Sequence, residues 1–242
     1  MKKLIFVLIL VTCLFFFVMG CSNLNQSQPS ASSSNYYPHA DGNRWEYGCG
    51  IYTTGEGLIE GASSIKSSYF SGTTTLSNDV IVQNLYSIYN SVSGEGLAIQ
   101  SIQKFLKPFS LKGYSATSYP PAYILVNNNG AYFYGNELEI TTEATLIIPV
   151  SLKIGDKWQD SFGFTCEAIG YETVTVPAGA FETIKIKAGE DLYWWYADGA
   201  GAVKCLLDNI VVSVPSFESS TNRIISVLVN GYYIEELKSR NF

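Results

Sequence analysis

The chain of 242 residues holds a single histidine, His39. A Ser–His or Cys–His catalytic device would have only that one to use, and no Gly-x-Ser-x-Gly nucleophile motif is present. Metal chemistry is equally short of ligands. Cys49, Cys166 and Cys205 show none of the Cys-x-x-Cys pairing of zinc sites, and the acids stand mostly singly, without the alternating acidic loop of calcium sites. Gly94-Glu95-Gly96 and Gly199-Ala200-Gly201 precede no helix signal, so neither cradles a phosphate. Basic residues are few: 15 Lys and Arg against 21 Asp and Glu, a net charge of −6. That balance excludes nucleic acid and anionic lipid head groups as partners, since both are met by basic patches. No cofactor and no enzymatic activity are expected.

Paired carboxylates are what remains for a hydrolase, which needs two acids about 5–10 Å apart in a cleft. Glu137 and Glu139 share a face if their segment is extended, and Glu172 and Glu182 are diagonal neighbours on a hairpin. Acids at sheet margins are more often solvated or ion-paired, which makes a hydrolase the least favoured reading.

The first twenty residues are not part of a fold. Lys2 and Lys3 precede an apolar run from Leu4 to Val18, which is short for a membrane span of about 20 residues. A basic start, an apolar core and small residues before a cut site read as a secretory signal over 1–20. An uncleaved anchor helix is the alternative, and it exports the same domain. Val18-Met19-Gly20-Cys21 resembles the lipobox of bacterial lipoproteins. That resemblance implies a diacylglyceryl group on Cys21, cleavage before it, and attachment to the membrane through acyl chains in the bacterial cell envelope. Loss of the leader would leave 13 basic and 21 acidic residues. Residues 21–35 are the lipidated cysteine and a Ser/Asn/Gln tether too polar to fold, with an end-to-end distance of about 20 Å as a coil.

Residues 36–242 read as one antiparallel β domain: a single curved sheet or half-barrel with few short helices. Seventeen Tyr, 13 Phe and 4 Trp suit pleated surfaces, and strand signals recur between Gly and Asn turns without long helical periodicity. Candidate strands are 68–74, 79–91, 123–126, 131–134, 139–150, 162–169, 191–196, 202–207, 209–214, 223–229 and 232–237, and 97–106 fits either a strand or, by the spacing of Ala98, Ile99, Ile102, Phe105 and Leu106, a helix. Tyr119-Pro120-Pro121 reads as a loop, and Asn129-Gly130 and Asn230-Gly231 as tight hairpin turns. The second of these would put Ile225, Val227, Val229, Tyr232 and Ile234 on one face.

Tyr171 to Lys187 carries two β-branched runs around Pro177-Ala178-Gly179. A three-residue loop would pair Val176 with Ala180 and place Val174, Val176, Ile184 and Ile186 together, with Thr173, Thr175, Thr183 and Lys185 opposite. Gly42-Asn43-Arg44-Trp45 and Gly155-Asp156-Lys157-Trp158 repeat one turn-then-tryptophan pattern, as an internal duplication or as one turn solution used twice.

In Tyr193-Trp194-Trp195-Tyr196, alternate residues face opposite ways, so one pair is expected in the core. The other is either covered as well or an exposed platform for a ligand. With Cys13 lost and Cys21 acylated, one disulfide is available, and Cys166 with Cys205 is the favoured pair; buried free thiols fit equally.

The two Gly-(Asn/Asp)-x-Trp motifs, the Val-Pro-Ala-Gly hairpin and the Tyr-Trp-Trp-Tyr-Ala-Asp-Gly-Ala-Gly-Ala-Val-Lys stretch resemble a group of uncharacterised exported bacterial proteins, many of them lipoproteins. Asp198 departs from that group, where proline is common. The resemblance implies a curved antiparallel sheet, similar to the half-barrel of the lipoprotein carriers LolA and LolB, and it supplies no catalytic residues. The expectation is therefore a non-enzymatic envelope lipoprotein acting as a binding or interaction module, its partner an unidentified protein or apolar ligand. The alternative is a carrier holding an apolar or lipid ligand in the concave face.

Overall fold

The computed structural model describes residues 35–54, 57–91, 118–160, 163–218 and 223–242. The signal, the tether up to residue 34 and the candidate strand or helix at 97–106 lie outside them. The described chain forms β1 (Arg44–Thr53), β2 (Gly57–Thr75), β3 (Ile81–Ser91), β4 (Ser118–Asn127), β5 (Gly130–Asn136) and β6 (Glu139–Pro149). A second run follows: β7 (Lys157–Gln159), β8 (Thr165–Val176), β9 (Gly179–Ala188), β10 (Leu192–Ala197), β11 (Gly201–Glu218) and β12 (Arg223–Arg240). No helix occurs among the described residues.

All twelve strands belong to one antiparallel sheet ordered β6-β5-β4-β3-β2-β1-β12-β11-β10-β9-β8-β7. Two meanders are thus joined by pairing of the first strand with the last, Trp45 to Thr53 against Arg240 to Gly231. Each Gly-(Asn/Asp)-(basic)-Trp turn opens one run. Gly42 and Gly155 take φ of 83° and 93°, a region that favours glycine, and β1 and β7 follow directly.

The sheet folds back on itself without closing. Ala131 of β5 and Ile148 of β6 share a buried cluster with Cys166, Ala168, Ile184, Ile186 and Tyr196 of β8 to β10. A second cluster joins Trp45, Tyr47, Cys49 and Ile51 of β1 to Phe70, Ile124, Tyr233 and Leu237. The edges β6 and β7 meet where the Trp158 indole N–H donates to the Ile147 carbonyl at 3.0 Å.

Several turns differ from expectation, each for a local reason. The Pro177 hairpin has a two-residue loop, with Val176 paired to Gly179 and Val174 to Phe181. Val174 and Phe181 therefore face opposite to Ile184 and Ile186. Both faces are covered, at different heights. The tip packs with Trp45, Trp195 and Leu237, and its Ala178 N–H reaches the Leu237 carbonyl at 3.0 Å, whereas the base packs with Cys166 and Ala168. Alternation presumes one buried face, and here there are two.

Pro120 and Pro121 lie inside β4, where the pairing steps from Ala122 to Tyr119 while β3 steps from Leu85 to Ser87. That bulge accommodates residues without a ladder N–H. The β4/β5 loop is Asn128-Asn129, since Asn127 pairs with Gly130. Asp208-Asn209 is a bulge within β11, with Asn209 at φ 51°.

Asn230-Gly231 is not a turn. β12 runs straight through it, pairing Gly231 with both Thr53 and Ile210, so residues 225, 227 and 229 alternate away from 232 and 234. A Cβ on Gly231 would stand 2.3 Å from the Tyr52 carbonyl oxygen. Glycine is present because the β1 backbone comes close. Gly231→Ala should therefore cost about 1–3 kcal/mol, the usual penalty for overpacking, read as a lower urea midpoint. An unchanged midpoint would mean that the Tyr52 carbonyl does not crowd this position.

Candidate functional site

Glu235 lies near the middle of β12, with Cys49 of β1 directly opposite on one side and Cys205 of β11 on the other. All three side chains are buried. One carboxylate oxygen accepts from the Lys66 ammonium at 2.7 Å, and the other from the Tyr233 hydroxyl at 2.7 Å and the Tyr89 hydroxyl at 3.5 Å. Lys66 stands between Tyr47 of β1 and Tyr89 of β3 in the register, its nitrogen 5.3 and 5.7 Å from their ring centroids. The cation thus has a carboxylate and two aromatic faces as partners.

Side-chain exposure of 16% for Lys66 and 4% for Glu235 makes this a buried ion pair. Such a pair contributes little net stability, because desolvation offsets the attraction, yet removing one partner strands a charge. Burial alone pulls the Lys66 ammonium down, but the Glu235 carboxylate outweighs it and holds the amine well above its usual value. Burial, then the Glu235 charge, pushes the Tyr233 phenol well up. The same two causes raise the Cys49 thiol from 9.0 to about 12, and Cys205 moves in the same direction. Protonated thiols are poor nucleophiles, and burial favours that form in Cys49 and Cys205.

Sequence reading missed this site because its two charges are 169 residues apart. The available signal was a carboxylate at an inward position, alternating with Tyr233 and Leu237.

The aromatic run divides as alternation requires. Trp194 and Tyr196 join the cluster of Ile184 and Ile186, while Trp195 pairs with Lys185 and Lys204 in the register. Trp195 is only 5% exposed. Its indole N–H donates to Glu172 at 2.6 Å, and the Lys185 and Lys204 nitrogens stand 4.7 and 5.7 Å from its ring. Lysine stems cover apolar surface while their heads reach Glu172 at 3.4 Å and Glu236 at 2.9 Å. Trp195 and Tyr196 are thus buried, and Tyr193 and Trp194 half-buried, so the run is not an open platform.

Other candidates are dispersed. The His39 ring donates its Nδ1–H to the Tyr37 carbonyl, 3.1 Å away. Glu172 bonds Trp195 on one side of the hairpin and Glu182 bonds Thr173 on the other, so this carboxylate pair diverges. Glu137 and Glu139 are exposed at the β5/β6 turn. Cys166 and Cys205 form no disulfide: β9 and β10 lie between their strands, and all three described cysteines are free and buried.

No protein-family profile and no curated protein sequence matches the chain. Two solved structures are similar over most of it. One is a Bacteroides fragilis protein assigned as exported and described with a YmcC-like fold: 13% identity, TM-score 0.39, covering 86% of this chain and 100% of its own. The other is a Parabacteroides distasonis protein assigned as a lipoprotein: 16% identity, TM-score 0.37, covering 87% and 100%.

Glu235→Ala and Lys66→Met should each cost about 3–5 kcal/mol in denaturant unfolding, while Lys66→Met with Glu235→Leu should cost much less than their sum. Additive losses would mean that the two groups are not coupled. The thiols set a pH limit as well. Cys49 and Cys166 are raised from 9.0 to about 12 by burial first. A raised folded value stabilises fully below the unfolded value, and that contribution disappears as pH climbs through the folded one. Stability should hold to about pH 8.5 and fall between there and pH 12, followed by far-ultraviolet circular dichroism under a fixed urea concentration.

Proposed function

We propose that the chain is a lipoprotein of the bacterial cell envelope, acylated on Cys21, whose β domain acts outside the cytoplasm as a non-enzymatic binding module. The observation that carries the binding-module reading is the filling of the inner face. Tyr47, Ile51, Tyr196, Tyr233 and Leu237 are each less than a tenth exposed there, so the outer face and the sheet's ends are left for a partner.

The alternative, a carrier of an apolar ligand, requires volume on the inner face of the curved sheet. Aromatic side chains take up that volume among the described residues. A hydrolase would need converging acids, whereas Glu172 and Glu182 diverge.

The anchor reading rests on the Val18-to-Cys21 motif and the polar tether after it. Cys21→Ser should move the protein from the membrane to the soluble fraction, because two or more acyl chains are what hold such a domain stably. Mass spectrometry of wild type purified in mild detergent should show the mature chain starting at an acylated Cys21 with no co-purifying apolar ligand. Unchanged membrane attachment of the variant would overturn the lipoprotein reading, and a stoichiometric bound lipid would favour the carrier.

A further inference from the structure

Tyr52 of β1 and Tyr232 of β12 stand directly opposite each other in the ladder that joins the two runs. Each alternates with an inward residue, Ile51 or Tyr233, so both rings lie on the outer face, where they are half-buried. In the core, Tyr37 and Trp45 meet Phe70 edge to face, at 70°. The Tyr52 and Tyr232 rings are instead stacked, with centroids 5.2 Å apart and an interplanar angle of 7°. Two glycines hold this stack in place. A Cβ on Gly231 would stand 2.3 Å from the Tyr52 carbonyl oxygen, and one on Gly50 would stand 3.1 Å from the Tyr52 ring. Glycine at both positions lets the strands close up and leaves the ring its space.

The surroundings of the pair suit one-electron oxidation. Inside the sheet, the Tyr47 and Tyr233 hydroxyls donate to the Ala202 carbonyl and to Glu235. Neither the Tyr52 nor the Tyr232 hydroxyl bonds a protein group among the described residues, so their protons can leave to water. Burial, then the Glu236 charge, raises the Tyr52 phenol, and the same negative field eases loss of an electron from the ring. Rings already in contact also couple with each other far faster than with another molecule. Tyr69 and Tyr86 are stacked alike, at 5.2 Å and 12°. There, however, Arg44 stands opposite Tyr69 in the register, and a cation opposes electron loss.

We propose that Tyr52 and Tyr232 are an oxidative modification site, joined as dityrosine when a one-electron oxidant fed by hydrogen peroxide reaches the outer face. Each phenol gives up one electron and one proton, and the two radicals bond through ring carbons next to their oxygens. The hydrogens on those carbons then pass through water to the oxygens and restore both hydroxyls. Hydrogen peroxide takes up the two electrons and two protons and becomes two molecules of water. The new bond ties β1 to β12, where the described cysteines, all free and buried, supply no covalent link. Its ends are about 180 residues apart in the chain, and a cross-link that closes so long a loop restricts the unfolded chain strongly. Dityrosine would therefore brace the one ladder that makes a single sheet of two runs. Neither the geometry nor its test depends on the lipoprotein reading.

The test treats the full chain with hydrogen peroxide and a haem peroxidase, then maps the products by tandem mass spectrometry. The treated chain should run at the mass of a single chain, show dityrosine fluorescence, and yield a peptide pair linked at Tyr52 and Tyr232. Its urea midpoint should lie above that of the untreated chain. Tyr52→Phe and Tyr232→Phe, which keep the stacked rings, should each abolish the link and the midpoint shift, and Tyr69→Phe should leave both. The wild-type map decides by itself if a variant folds poorly. The proposal is overturned by absence of dityrosine, by a link that maps only to other tyrosines, or by a link retained in Tyr52→Phe. A product at twice the chain mass with no link within the chain, or a midpoint unmoved by coupling, would overturn it as well.

Discussion

The architecture depends on the pairing of the first strand with the last. Each run of six strands is held by local hairpins, but β1 and β12 are about 190 residues apart, and only their ladder makes one sheet of two. Closing so long a loop is entropically costly, and the register of a flat strand slips easily unless its faces are specified. Glu235 supplies that specification. A one-residue slip would move its carboxylate to the outer face and leave the Lys66 ammonium buried without a counter-charge. A buried pair of this kind is a poor source of net stability, and we assign its role to register.

The inner face then follows. Cys49, Glu235, Cys205, Trp194, Ile186 and Ala168 form one row across six adjacent strands, read directly from the pairing. The row passes from a polar centre to an apolar flank, where β5 and β6 fold over it through Ala131 and Ile148. On the outer side, lysines lie over Trp195 and carboxylates pair with their heads. Strand, burial and charge agree on an interior that holds itself together and presents its ends and outer surface.

Much of this was legible in the sequence. The antiparallel class, most strand positions, the tryptophan-led starts of β1 and β7 and the facing of the Tyr-Trp-Trp-Tyr run follow from alternation and turn residues. What misled was the assumption that one cue has one meaning. Gly231 marks a close backbone approach where a turn was expected, and Pro120-Pro121 a bulge where a loop was. The Pro177 hairpin buries opposite faces at its two ends, so no single alternation describes it. The Lys66–Glu235 pair was invisible because its partners meet only when the long β1–β12 ladder forms, and no local pattern encodes that meeting.

Native-state hydrogen exchange tests most directly whether that ladder makes one cooperative structure. If β1 and β12 join the two runs into a single unit, the slowest amides of β4 in one half and β9 in the other should open with the same free energy, within about 1 kcal/mol, and respond equally to denaturant. If one half exchanged through a cheaper partial unfolding while the other kept full protection, the two meanders would be separate units, and the account of the β1–β12 seam would be wrong.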